Sequence, residues 1–140
     1  MKVLLDTGTL LSGLVFKGPE NMIIWGAIQG KFRLVVSDYI LLEFEKNISR
    51  KFTGKRRKRA IELLTKIKDY DALEIKGRKD YLSHLREAEK VINKKDAPVL
   101  ACAMLDDIDV LVSGDEDFYT GDVRDKVNVM RAREFLETYY

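Results

Sequence analysis

Val110-Leu111-Val112-Ser113-Gly114-Asp115-Glu116-Asp117 decides the fold, together with its counterpart at the start of the chain, Lys2-Val3-Leu4-Leu5-Asp6. Each is a short apolar run without polar alternation that ends on acids. A strand that alternates has one wet face, whereas a continuous apolar run is covered on both. Phe32 to Val36, with Leu34, Val35 and Val36, reads the same way, and Leu73 to Ile75 and Val127 to Val129 are weaker strands. Helical patterns separate them. They are Ile23 to Ile28, a Ser37-capped stretch to about Ile48, Arg57 to Tyr70, Leu82 to Ile92, Asp96 to Leu105 and Arg131 to Tyr139. Ile61, Leu64 and Ile67 recur at helical spacing in one, and Asp96-Ala97-Pro98 opens another as a capping acid with an early proline. Residues 50–59 and 77–81 read as loops or frayed regions. Strands alternating with helices imply α/β architecture with a mainly parallel sheet.

Composition fits that architecture. The chain has 140 residues, of which 46% are hydrophobic, so one domain spanning 1–140 is expected. One cysteine excludes an internal disulfide, and no Cys/His spacing suggests zinc. Asp6 arrives too early for a signal peptide, and no apolar run approaches the roughly 20 residues that span a bilayer. A cytoplasmic protein without a membrane partner is the expectation. Charge is uneven: residues 31–60 hold ten Lys/Arg against three Asp/Glu, and residues 61–140 hold thirteen against eighteen. Such segregation suits a polyanionic substrate or a charged protein partner.

The acids carry the chemistry. Asp6 ends the first strand, Glu43 lies within two turns of a helix start, Asp96 opens a helix and Asp115 follows the Val110–Ser113 strand. In a parallel sheet, strand ends and the starts of the following helices share one edge, where open α/β folds place their sites. Gathered carboxylates repel one another, and a divalent cation resolves the conflict; oxygen-only ligands favour Mg²⁺ or Mn²⁺. Taken singly, Asp96 reads equally well as a helix cap and Asp115 as a turn residue. The run Arg50-Lys51-Phe52-Thr53-Gly54-Lys55-Arg56-Arg57-Lys58-Arg59 has seven basic residues in ten. Phosphates are its natural partner, although an acidic protein segment or plain solvent fits too. His84 reads as a surface residue and Cys102 as a buried small side chain. Phe16, Met22 and Trp25 read as core, with a dimer interface as the alternative, and Asp106, Asp107 and Asp109 as a solvated turn.

The ordered set Leu4-Leu5-Asp6-Thr7 with Ser12, Val35-Val36-Ser37 with Glu43, Asp96-Ala97-Pro98-Val99-Leu100 with Ala103, and Asp109-Val110-Leu111-Val112-Ser113-Gly114-Asp115 resembles the PIN-domain family. Val127-Asn128-Val129 and Phe135-Leu136 extend the resemblance over essentially the whole chain. It implies a three-layer α/β/α domain and metal-dependent cleavage of RNA, leaving a 5′-phosphate and a 3′-hydroxyl. It also implies homodimers and, for VapC-like toxin members of toxin–antitoxin systems, neutralisation by an antitoxin protein. Carried over, the catalytic set is Asp6, Glu43, Asp96 and Asp115, and the metal ligands are Asp6, Asp96, Asp115 and Asp117. Arg50, Lys51, Lys55, Arg56, Arg57, Lys58, Arg59 and Ser113 are the expected substrate-binding residues. Gly8 departs from the family, which usually has Asn two residues after the first Asp. A catalytically weak RNA- or protein-binding module on this fold, and a small-molecule phosphohydrolase, remain as alternatives.

Overall fold

The computed structural model describes residues 1–140. Five parallel strands, β1 (Lys2–Leu5), β2 (Arg33–Ser37), β3 (Leu73–Lys76), β4 (Val110–Val112) and β5 (Val129–Met130), form one sheet in the order β3-β2-β1-β4-β5. Val3, Leu4 and Leu5 face Val110, Leu111 and Val112 in register, and Leu4 also pairs with Val35. These central residues are fully buried or nearly so, each worth about 1.5–3 kcal/mol of apolar burial.

The connections dictate the layers. The chain steps from β1 to β2 to β3 through α1 (Thr7–Val15), α2 (Pro19–Ile28), α3 (Asp38–Lys51) and α4 (Gly54–Asp69). It then returns to β4 through α5 (Arg78–Glu89) and α6 (Ala97–Ala103). Right-handed crossovers in opposite directions put these two helix groups on opposite faces. α1 packs against α2 and α4, and α5 packs against α6, which completes an α/β/α sandwich. A 3₁₀ turn (Glu116–Tyr119) and α7 (Gly121–Arg124) lead to β5, and α8 (Ala132–Tyr139) closes on α2. Strand order reverses between β1 and β4, so a crevice opens there at the strand ends. No helix is long and apolar enough to cross a membrane.

Several local expectations are corrected. Thr7–Val15, which the sequence patterns assign to no element, is helical, and the Asp6 carboxylate accepts the Thr9 N–H at 2.8 Å and caps α1. Gly13 in that helix is demanded by packing, since a Cβ there would lie 2.8 Å from Ile24 Cδ1 and 2.9 Å from the Glu20 carbonyl oxygen. Residues 50–59 are mostly helical rather than a loop or frayed region, broken only at Phe52 and Thr53: α3 runs through Lys51, and α4 begins at Gly54, whose φ of 60° suits glycine. Residues 77–81 likewise start α5, with Asp80 accepting the Gly77 N–H. Phe16, Met22 and Trp25 are exposed rather than core: Phe16 follows the end of α1, and the buried stripe of α2 is Ile23, Ile24, Gly26 and Ala27. Asp107 and Asp109 are not merely solvated. Asp107 pairs with Lys2 and Lys76, and Asp109 accepts the Lys2 N–H. Cys102 is buried as expected, and burial pushes its thiol up to about 12.

Candidate active site

Sheet register places the first acid. Asp6 follows β1 directly, and the β1–β4 offset sets Ser113 level with it. The Ser113 hydroxyl donates to Asp6 Oδ2 and accepts the Asp115 N–H at 3.0 Å. One buried serine thus ties two acids 109 residues apart in the chain. Ser113 is fully buried, so the expectation that it meets substrate does not fit; it holds the acids instead. Burial pushes the Asp6 carboxyl up, against the opposing bonds from Ser113 and Thr9, and the charge of Asp115 adds to the rise.

The other acids come from three further elements. Glu43, on α3, accepts the Thr7 hydroxyl at 2.8 Å. Tyr39, one turn earlier, donates its hydroxyl to the Lys95 carbonyl at 2.8 Å and so ties α3 to the segment that carries Asp96. Asp96 stands at the start of α6, but its side chain makes no cap hydrogen bond, so the simple capping expectation fails. Burial pushes its carboxyl up, and the charges of Asp115 and Asp117 push the same way. Asp115 does take a local role as well: it accepts the Asp117 N–H at 2.9 Å and starts the 3₁₀ turn.

Asp6, Glu43, Asp96 and Asp115 line one cleft of about 400 Å³, shared with Thr7, Gly8, Ser12, Asn47, Lys51 and Lys95. Asp96 and Asp115 also group with Asp117 beside the cleft, one carboxylate oxygen from each lying within 4.8 Å of the others. Asp6 and Glu43 face the same cleft from outside that group. None of these five acids forms a salt bridge with a Lys or Arg. Hard oxygen donors of like charge that no lysine or arginine bridges directly, although Lys51 and Lys95 line the same cleft, are a set a divalent cation satisfies, so the residues present fit one.

The basic run divides. Lys51 lines the cleft, while Arg59 lines a separate one beside Phe16 and Trp25. Arg57 donates to the Phe52 and Ser49 carbonyls at 3.1 Å, which commits it to the C-terminus of α3. Arg50 donates to Asn47, and Arg56 stacks over the Phe16 ring. Lys55 and Lys58 are exposed on the first turns of α4. Sequence reasoning missed Lys95, Tyr39 and Asn93 at this site. Asn93 donates its amide to Asp96 Oδ2 at 2.8 Å and to Asp117 Oδ2 at 3.3 Å. Gly8 leaves open space: a Cβ there meets nothing closer than Asp6 Oδ1 at 3.9 Å, so packing does not require the glycine.

A PIN-domain family model matches residues 2–117 of the chain. No curated protein matches its sequence. A chain of the crystal structure of VapBC2 from Rickettsia felis, bound to a DNA fragment from their promoter, superposes with a TM-score of 0.61 at 17% identity. The match covers 94% of this chain and 98% of that one. A chain of FitAB bound to the IR36 DNA fragment superposes with a TM-score of 0.59 at 16% identity, covering 93% and 94% respectively. At such identities the likeness is one of fold.

Proposed function

The chain belongs to the PIN-domain family, and from that premise we propose that it is a metal-dependent endoribonuclease, the VapC-like toxin component of a toxin–antitoxin pair. The observation that carries this reading is the cleft in which Asp6, Glu43, Asp96 and Asp115 gather, with Asp117 beside them, none of them in a salt bridge. Residues 1–140 act as one nuclease domain.

Asp96, Asp115 and Asp117, with Asp6, would hold Mg²⁺ or Mn²⁺. Such an ion supplies an activated water and offsets charge on the phosphoryl group. Glu43, steadied by Thr7, orients the attacking water. Ser113 keeps Asp6 and Asp115 in place through the reaction. Water adds to phosphorus, the bond to the 3′ oxygen breaks, and that oxygen leaves as a hydroxyl. Lys51 and Lys95 flank the cleft and hold the neighbouring phosphates. Arg50, Lys55, Arg56, Lys58 and Arg59 extend the positive surface for the RNA backbone. The family and the fold likeness to VapBC2 and FitAB support an antitoxin partner, and the reading includes a cytoplasmic homodimer.

Gly8 favours one second reading, an RNA-binding module without cleavage, because it supplies no side-chain amide beside Asp6. The test is cleavage of single-stranded RNA in Mg²⁺ or Mn²⁺ buffer, with EDTA and Asp115→Asn as controls. Cleavage that both controls reduce by about 100-fold or more supports the nuclease. RNA that is bound but left intact supports the module, and a protein that neither binds nor cuts RNA overturns both. Lys55→Ala with Lys58→Ala is expected to weaken RNA binding and flatten its salt dependence.

A further inference from the structure

Asn93 lies in the turn between α5 and α6, outside every set of acids considered above. Its main-chain carbonyl accepts the N–H groups of Asp96 at 3.2 Å and Ala97 at 3.0 Å. The turn is therefore closed by backbone alone. The side-chain Oδ1 accepts the same Asp96 N–H at 3.0 Å, which fixes the way the amide faces, because a backbone N–H can only donate. The two protons of Nδ2 then point at two carboxylates, Asp96 Oδ2 at 2.8 Å and Asp117 Oδ2 at 3.3 Å. Both acids keep their second oxygen for another partner.

We propose that Asn93 is the positioning residue of the cleft, holding Asp96 and Asp117 together for a divalent cation. The inference rests on the cation-binding part of the proposed function. Asp96 and Asp117 come from different elements and carry like charge, so without a shared donor they would spread apart. A lysine in the same place would gather them as well. It would also neutralise them and compete with the cation for the position. An amide orders the acids while leaving their charge intact, which is what a site meant to receive an ion requires. An outer donor that orients a metal-binding carboxylate contributes about 10- to 100-fold in affinity in well-studied sites.

Mn²⁺ titrated into metal-free protein by calorimetry tests this, with thermal melting of the same samples. Asn93→Ala removes both side-chain roles. Asn93→Ser keeps an acceptor for the Asp96 N–H but is too short to bridge the two carboxylates. Both variants are expected to bind Mn²⁺ about 10- to 100-fold more weakly than wild type while melting within a few degrees of it. If serine restores wild-type affinity, Asn93 is only a turn residue and the proposal falls. It falls equally if both variants bind as wild type does, or if wild type takes up no Mn²⁺. RNA cleavage is scored separately. A protein that shows the expected binding pattern but cuts no RNA overturns the nuclease reading and leaves the role of Asn93 standing. A protein that cuts RNA while the variants bind Mn²⁺ normally does the reverse.

Discussion

Two groups of carboxylates belong to this sheet, and their surroundings have opposite character. Glu74 and Asp107 sit among cations. Glu74 lies 2.9 Å from Lys2, 2.8 Å from Lys76 and 3.5 Å from Arg33, and Asp107 lies 2.9 Å from Lys2 and 2.7 Å from Lys76. The bonds from Lys76 and then Lys2 hold both acids below the ordinary carboxylate range, Asp107 at about 2. Lys76 is raised in turn, because its bonds to Asp107 and Glu74 outweigh burial, which acts to lower it. In the cleft the direction reverses: burial first, and neighbouring acids after it, push Asp6 and Asp96 up. The residue types are the same and the outcome differs by what stands opposite. Where lysine answers the acids, the group is closed and serves the fold. Where only amide, hydroxyl and backbone donors bond to them, with Lys51 and Lys95 at the cleft but in no salt bridge, negative charge remains for something from outside.

The largest way to break the contrast is Asp96→Asn. It should weaken Mn²⁺ binding by about 100-fold or more, yet leave the melting temperature of the metal-free protein unchanged or raised, since it relieves repulsion. Calorimetry and melting on one sample decide it, and a large fall in melting temperature would make the cleft acids structural like the other pair. Lys76→Met inverts the experiment. It strips Glu74 and Asp107 of a shared partner, should cost about 1–2 kcal/mol of stability, and should leave Mn²⁺ affinity untouched. The smallest effect is in pH. Asp107 titrates at about 2 against an ordinary 3.8, so its contribution to stability is full above about pH 4 and is lost as pH falls towards 2. Protons compete for Asp6 and Asp96 at higher pH than for an ordinary carboxylate, so Mn²⁺ affinity should fall first on acidification. Paired titrations and melts across pH 3 to 7 would show the two losses in that order; coincident losses would erase the distinction.

The central strands and the acids were legible because their signals are local. Val3-Leu4-Leu5 and Val110-Leu111-Val112 are continuous apolar runs, and each ends beside an acid at the edge where parallel sheets carry sites. What escaped depends on contacts at a distance. The α1 helix was hidden because Gly8 and Gly13 depress helix propensity, and the reason for Gly13 is the neighbouring α2. Met22 and Trp25 are apolar but exposed on α2, and Phe16 just past α1, and residue type alone does not say which side of an element they occupy. The basic run looked like one surface, yet the structure spends Arg57 on the end of α3 and turns Arg59 towards another cleft. Asn93 belongs to no periodic pattern, and its meaning appears only when Asp117 is brought alongside.

The position of β4 next to β1 has a consequence for how the protein is born. A ribosome delivers β1, β2 and β3 first, and these can pair among themselves while the far edge of β1 still waits for a strand. Ser113, Asp115 and Asp117 emerge only after α6, so the grip on Asp6 closes only once β4 has been made. A partly made chain carries Asp6 and Glu43 but lacks the other half of the cleft. If this protein destroys RNA, a chain released before β4 carries no assembled cleft with which to do so.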